Sequence, residues 1–243
     1  MFGRVGRALL QPFSARQYQV SAGARAPLSQ DLREVIPWWI AQLSNIRPRI
    51  VATKPARPVV VYTDACGAGH LGAILALDGH VSTHHCHAPP WFMRALTGIF
   101  ELELLACILG LVVACNKAPG RAVLLCCDNK GALGAVVRGS CSTPVGRMLS
   151  STLWNIAATF DAAVWVEFVP SALNCADPPS RSCFSIPKHE GASEESKGIP
   201  SLFTSILESR HALATAQFNV ALGAQQTSTG WPCPEQAKPR GTC

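Results

Sequence analysis

Two apolar runs in this chain stop abruptly on an aspartate, and no feature restricts the fold more. Val59 to Tyr62 leads into Thr63 and Asp64, and Ala122 to Cys127 leads into Asp128. Neither run alternates apolar with polar residues, so each reads as a strand buried on both faces rather than one with a wet side. A sheet made of such strands needs helices above and below it, which points to an α/β architecture.

The neighbouring segments supply them. Leu71 to Leu77 reads as a second strand, Asp78-Gly79 as a hairpin turn and Val81 onward as a third strand, stopped by Pro89 and Pro90. Thr97 is placed to cap a long helix running to about Asn116, ended by Pro119-Gly120. Asn129 to Val137 reads as a short helix. Thr143-Pro144 opens a longer one through about Phe160, with proline in the first turn where its missing N–H does no harm. Val164 to Val169 is the fifth strand, and a final helical turn follows. The expected fold is therefore a five-stranded mixed sheet with helices on both faces.

Outside this region the chain changes character. Residues 1–57 hold nine Arg or Lys against two acids, residues 58–183 hold seven against eight, and residues 184–243 hold five against five. The surplus behind the net charge of +6 thus lies in a basic arm, the footprint of a partner with a phosphate backbone, of a solvated arm or of a membrane-facing one. Asp31 to Ile46 carries apolar residues at helical spacing but contains Pro37, so it reads as one kinked helix or two short pieces. Arg47 to Pro58 reads as a linker. The last 60 residues read as a mostly loose tail with one possible helix from Leu202 to Leu222.

Several function classes recede on the same grounds. Residues 95–115 are apolar enough to suggest a membrane span, yet Glu101 and Glu103 inside them are costly in lipid, and a buried helix explains the run better. Eleven cysteines form no C-x-x-C pair, and those in apolar runs read as small buried hydrophobes, which fits a reducing compartment. His84, His85, Cys86 and His87 are adjacent on a strand and point to alternate faces, so they do not converge on one ion. A cytoplasmic or nuclear location is expected, with a mitochondrial leader in the Arg-rich and acid-free first 30 residues as the alternative.

Four acids stand at telling positions: Asp64 and Asp128 at strand ends, Glu103 on the long helix and Asp177 just after the fifth strand. If the first and fourth strands are parallel neighbours, their terminal carboxylates share the sheet edge where α/β sites form. Like charges gathered there repel, and a divalent cation is the usual remedy. Glu103 shares a helical face with Ala106, Cys107 and Gly110, small residues that allow close approach to the sheet.

The blocks Val61-Tyr62-Thr63-Asp64, Glu103-Leu104-Leu105-Ala106, Cys127-Asp128-Asn129 and Asn174-Cys175-Ala176-Asp177 resemble the signature of the ribonuclease H domain, in the right order. The ending Val169-Pro170-Ser171 to Asp177-Pro178-Pro179-Ser180-Arg181 resembles the version in polyproteins of DIRS-like retrotransposons. The resemblance covers residues 58–183 and implies a ribonuclease H-like α/β fold. It also implies hydrolysis of the RNA strand of an RNA/DNA hybrid, with two Mg²⁺ ions, or Mn²⁺, held by Asp64, Glu103, Asp128 and Asp177. Asn129 and Asn174 are then candidate polar contacts to nucleic acid, and Lys130, Arg138 and Arg181 candidate phosphate contacts. No small-molecule cofactor or membrane is expected, and the chain is expected to act as a monomer or as part of a longer polyprotein.

Upstream, Arg16-Gln17-Tyr18 and Trp38-Trp39 resemble the end of a reverse transcriptase thumb and its connection, without the polymerase palm. Family members commonly carry a histidine in the loop before the last aspartate, where it aids product release. Val169 to Ala176 has none, which bears on turnover more than on metal binding. The alternatives are a catalytically inactive remnant that binds nucleic acid, and another nuclease or strand-transferase on the same fold.

Overall fold

The computed structural model describes residues 10, 12–14, 16–18, 27–44, 57–96, 98–181 and 193–194. Helix α1 spans Gln30–Ser44 as one element with Pro37 inside it, which settles the choice between one helix and two. Residues 47–56 of the expected linker and the Leu202 to Leu222 helix expected from sequence lie outside the described residues, as does Thr97.

Strands β1 (Val59–Ala65), β2 (His70–Leu77) and β3 (His80–His87) form an antiparallel meander. Asp78 and Gly79 turn the second hairpin with φ of 50° and 86°, the doubly positive pair that matches strand twist. Helices α2 (Pro90–Ala95) and α3 (Ile99–Lys117) follow, then β4 (Val123–Cys127), α4 (Lys130–Arg138), α5 (Pro144–Thr159), β5 (Val164–Phe168) and α6 (Asp177–Ser180). The sheet order is β5-β4-β1-β2-β3, with β4 parallel to β1 and β5 parallel to β4. A two-residue strand, β6 (Ser193–Glu194), adds a parallel edge beside β3. The mixed α/β sheet expected from the apolar runs is thus the observed one.

Helices cover both faces. Residues 101–115 of α3 are all buried, because the helix lies against β1 and β2 on one side and against α5 on the other. That double burial explains a sequence apolar all round, long enough by itself to cross a membrane. Gly110 sets the spacing: a Cβ there would lie 2.6 Å from Thr63 Cγ2 and 2.8 Å from Val61 Cγ1. On the opposite face α6 crosses β2 at Gly72, where a Cβ would lie 2.6 Å from the Ser180 backbone nitrogen.

The caps follow local chemistry. Thr143 Oγ1 accepts from the Gly146 N–H at 3.0 Å and starts α5. Helix α3 instead begins after Gly98, with no side-chain cap. Inside this layer Glu101 is fully buried and accepts a hydrogen bond from Thr143 Oγ1 at 2.5 Å, while Trp154 Nε1 of α5 donates to Val136 O of α4 at 3.1 Å.

Candidate metal centre

The parallel register of β1 and β4 pairs Thr63 with Cys127, so Asp64 and Asp128 leave their strands side by side at the same end of the sheet. Glu103 reaches that end from α3. Its carboxylate lies near the Ala65 backbone, one residue beyond Asp64. The helical face foreseen from spacing is the face in use: Gly110 lies over Val61 and Thr63, Cys107 Sγ is 3.5 Å from Thr63 Oγ1, and Glu103 sits at the rim.

Burial gives these acids their electrostatics. Glu103 is 6% exposed, and its Oε2 is buried with no hydrogen-bond partner. Loss of water, with the Cys127 thiol and the Asp64 and Asp128 carboxylates nearby, pushes Glu103 up to about 9. Asp64, also 6% exposed, is raised by burial and by repulsion from Asp128 and Asp177, against opposing pulls from the Ser180 hydrogen bond and Arg181.

Ligand atoms of Glu103, Cys127 and Asp128 lie within 4.8 Å of one another, which among the described residues is the one such set of three. Asp64 and Asp177 stand beside this set rather than within it. The Asp64 carboxylate accepts from Ser180 Oγ, and also from Asn174 Nδ2 at 3.4 Å. Asp177 pairs with Arg181 Nε at 2.8 Å, one helical turn on. An orphaned, buried carboxylate oxygen facing a second acid is the environment that a divalent cation relieves, so the donors at this corner fit a metal.

The candidate nucleic-acid contacts sort into two kinds. Asn174 is buried, with its Nδ2 donating to Thr63 O at 3.0 Å and its Oδ1 accepting from Ala176 N at 3.2 Å. Its polar atoms are engaged inside the protein, where they brace Asp64. Asn129 uses its side-chain oxygen to cap α4, accepting from Gly131 N at 2.9 Å and Ala132 N at 3.0 Å. Lys130, Arg138 and Arg181 are exposed. Lys130 Nζ stands 5.2 Å from the centre of the Phe168 ring, at the same end of the sheet as Asp128.

Two participants were not singled out from sequence. Ser180 is fully buried and bridges Asp64 to the Asp177 carbonyl, at 2.8 Å to the latter. Cys127 reads from sequence as a small hydrophobe and is fully buried as one. Its thiol shares a hydrogen bond with Cys107, and that bond together with burial holds it protonated far above the usual thiol range.

No known protein-family profile and no curated protein sequence matches the chain. Solved structures do. Ribonuclease H1 from the halophilic archaeon Halobacterium salinarum NRC-1 is similar at 17% identity and a TM-score of 0.43, over 52% of this chain and 97% of that one. The N-terminal ribonuclease H domain of a Mycobacterium tuberculosis protein, solved as a fusion with maltose-binding protein, is similar at 20% identity and a TM-score of 0.41, over 53% of this chain and 94% of that one.

Proposed function

We propose that residues 58–183 form a nuclease domain that hydrolyses the RNA strand of RNA/DNA hybrids with Mg²⁺ held by Asp64, Glu103, Asp128 and Asp177. The observation that carries this reading is the placement of three of these acids, Asp64, Glu103 and Asp128, at one sheet rim, set by the Thr63 to Cys127 register and by the approach of the Glu103 carboxylate to within 4.8 Å of that of Asp128. When bound, the ions supply an activated water and stabilise the leaving oxygen, so the chain needs no nucleophile of its own.

The protein's own groups prepare the site. Ser180 and Asn174 fix the Asp64 carboxylate, and the close packing of α3 on the sheet at Gly110 holds Glu103, so the donors are set before substrate arrives. Helix α3 and the sheet keep water from Glu103. Lys130 presents a cation at the same rim for a phosphate. The ending Val169-Pro170-Ser171 to Asp177-Pro178-Pro179-Ser180-Arg181 further supports a place within a retroelement polyprotein.

A second reading has an observation of its own. Arg181 sits on Asp177 and Ser180 on Asp64, so two of the four carboxylates already have internal partners, as a remnant that binds nucleic acid without cutting it would tolerate. One experiment separates the two. The full chain is mixed with a labelled RNA/DNA hybrid, with and without Mg²⁺, beside its Asp64→Asn and Glu103→Gln variants. Cleavage that needs Mg²⁺ and is lost in both variants supports the nuclease. Salt-sensitive binding without cleavage by folded protein supports the remnant, and cleavage that survives chelation refutes the proposed mechanism.

A further inference from the structure

A thiol at a site built for hard oxygen donors is out of place, and Cys127 is such a thiol. It is the last residue of β4, fully buried, and its ligand atom lies within 4.8 Å of those of both Glu103 and Asp128. Resting on the reading of this corner as a cation site, we propose that Cys127, Glu103 and Asp128 together bind a thiophilic divalent cation of the Zn²⁺ class, in competition with Mg²⁺.

Geometry and chemistry agree on this. Zn²⁺ takes sulfur at about 2.3 Å and carboxylate oxygen at about 2.0 to 2.2 Å, which sets tetrahedral donors about 3.5 Å apart, so atoms within 4.8 Å of one another close by about 1 Å or less to share one ion. Mg²⁺ gains nothing from a thiol, because it demands octahedral oxygen and keeps its waters. A mixed sulfur and oxygen set favours a borderline-soft metal instead.

Two further features point the same way. Glu103 Oε2 is buried without a partner, so a ligand is wanting at this spot. The backbone N–H of Asn129 points at Cys127 Sγ, at 3.4 Å. That donor remains available to a metal-bound thiolate and steadies its charge, as outer hydrogen bonds do in metal sites. As the metal–sulfur bond forms the S–H bond breaks, and the proton passes to buffer. Cys107, the thiol neighbour on α3, lies outside the ligand set and acts as a hydrogen-bond partner alone.

The test uses the full chain stripped with EDTA. Zn²⁺ affinity is measured by competition with a chromophoric chelator, and Cd²⁺ is added to read the ultraviolet charge-transfer band of metal-bound sulfur. Wild type is expected to bind one Zn²⁺ more tightly than Mg²⁺. Cys127→Ser and Cys127→Ala are expected to weaken Zn²⁺ about tenfold or more and to remove one sulfur's share of the Cd²⁺ band, while Cys107→Ser keeps both. Comparison with wild type subtracts the other cysteines.

Folded Cys127 variants with unchanged Zn²⁺ affinity and Cd²⁺ band would overturn the inference. The Mg²⁺ reading then still stands if Glu103→Gln abolishes stabilisation by Mg²⁺, and both fall if Glu103→Gln changes nothing. Should neither Cys127 variant fold, the Cd²⁺ band of wild type against Glu103→Gln decides: a band that shrinks in Glu103→Gln supports the shared site, and an equal band refutes it.

Discussion

Glu103→Gln should make the metal-free protein more stable, not less, at neutral pH. In the folded state the carboxyl is raised from its ordinary 4.5 to about 9. A group whose folded value lies above its unfolded value gives its full stability below the unfolded one and loses it as pH rises toward the folded one. The window for Glu103 therefore opens near pH 4.5 and closes near pH 9. At 1.36 kcal/mol per pH unit, about 3 kcal/mol has been lost by pH 7. Glutamine does not titrate, and burying its amide without a partner costs about 1 kcal/mol. The net gain is about 2 kcal/mol, or roughly 5 to 10 °C in Tm for a domain of this size. Thermal unfolding followed by circular dichroism, in EDTA from pH 5 to 8, reads it directly. Wild-type Tm should fall with pH relative to the variant, and saturating Mg²⁺ should restore wild type alone. Tm curves that run parallel in EDTA would refute the reasoning, because they would mean that Glu103 ionises in the folded protein as it does in the unfolded one.

Other perturbations probe the supports of the site. Gly110→Ala forces a Cβ into Val61 and Thr63 and should cost about 1 to 3 kcal/mol, read as a lower urea midpoint, despite the better helix propensity of alanine. Asn174→Ala strips donors from Thr63 O and Asp64 and should cost about 1 to 3 kcal/mol, with weaker stabilisation by Mg²⁺ in the same titration. Arg181→Ala removes an exposed, solvent-screened ion pair, so the urea midpoint should stay where it is in wild type. If Arg181 contacts a phosphate, that variant should also lower the slope of log affinity for hybrid against log salt by about one, and an unchanged slope would remove it from the interface.

Much of the fold could be read in the chain because burial leaves a local trace. The unbroken apolar runs before Asp64 and Asp128 marked central parallel strands, the Asp78-Gly79 pair marked a turn that demands positive φ, and Thr143-Pro144 marked a helix start. The three acids at the rim were legible for the same reason, since each stands where an apolar run stops or where a helix shows small residues to the sheet. Apolar periodicity is blind to polar pairing across the chain. Ser180 meets Asp64 from 116 residues away, and Asn174 meets it from 110. Nothing local distinguishes such a serine from a solvated one. Cys127 shows the same blindness: it is buried as its apolar run implies, and nothing in that run tells that the register beside Thr63 brings its sulfur within 4.8 Å of the Glu103 carboxylate.

Gly72 shows the limit most clearly. Within β2 a glycine offers no side chain to pack, yet that absence is what admits the α6 backbone and so brings Ser180 to the carboxylate. The site thus depends on two absences, one on each face of the sheet: Gly110 lets α3 deliver Glu103, and Gly72 lets α6 secure Asp64. A Cβ at either place would separate groups that no charge pattern in the sequence connects. The acids name the chemistry, while these glycines set the distances at which it can operate.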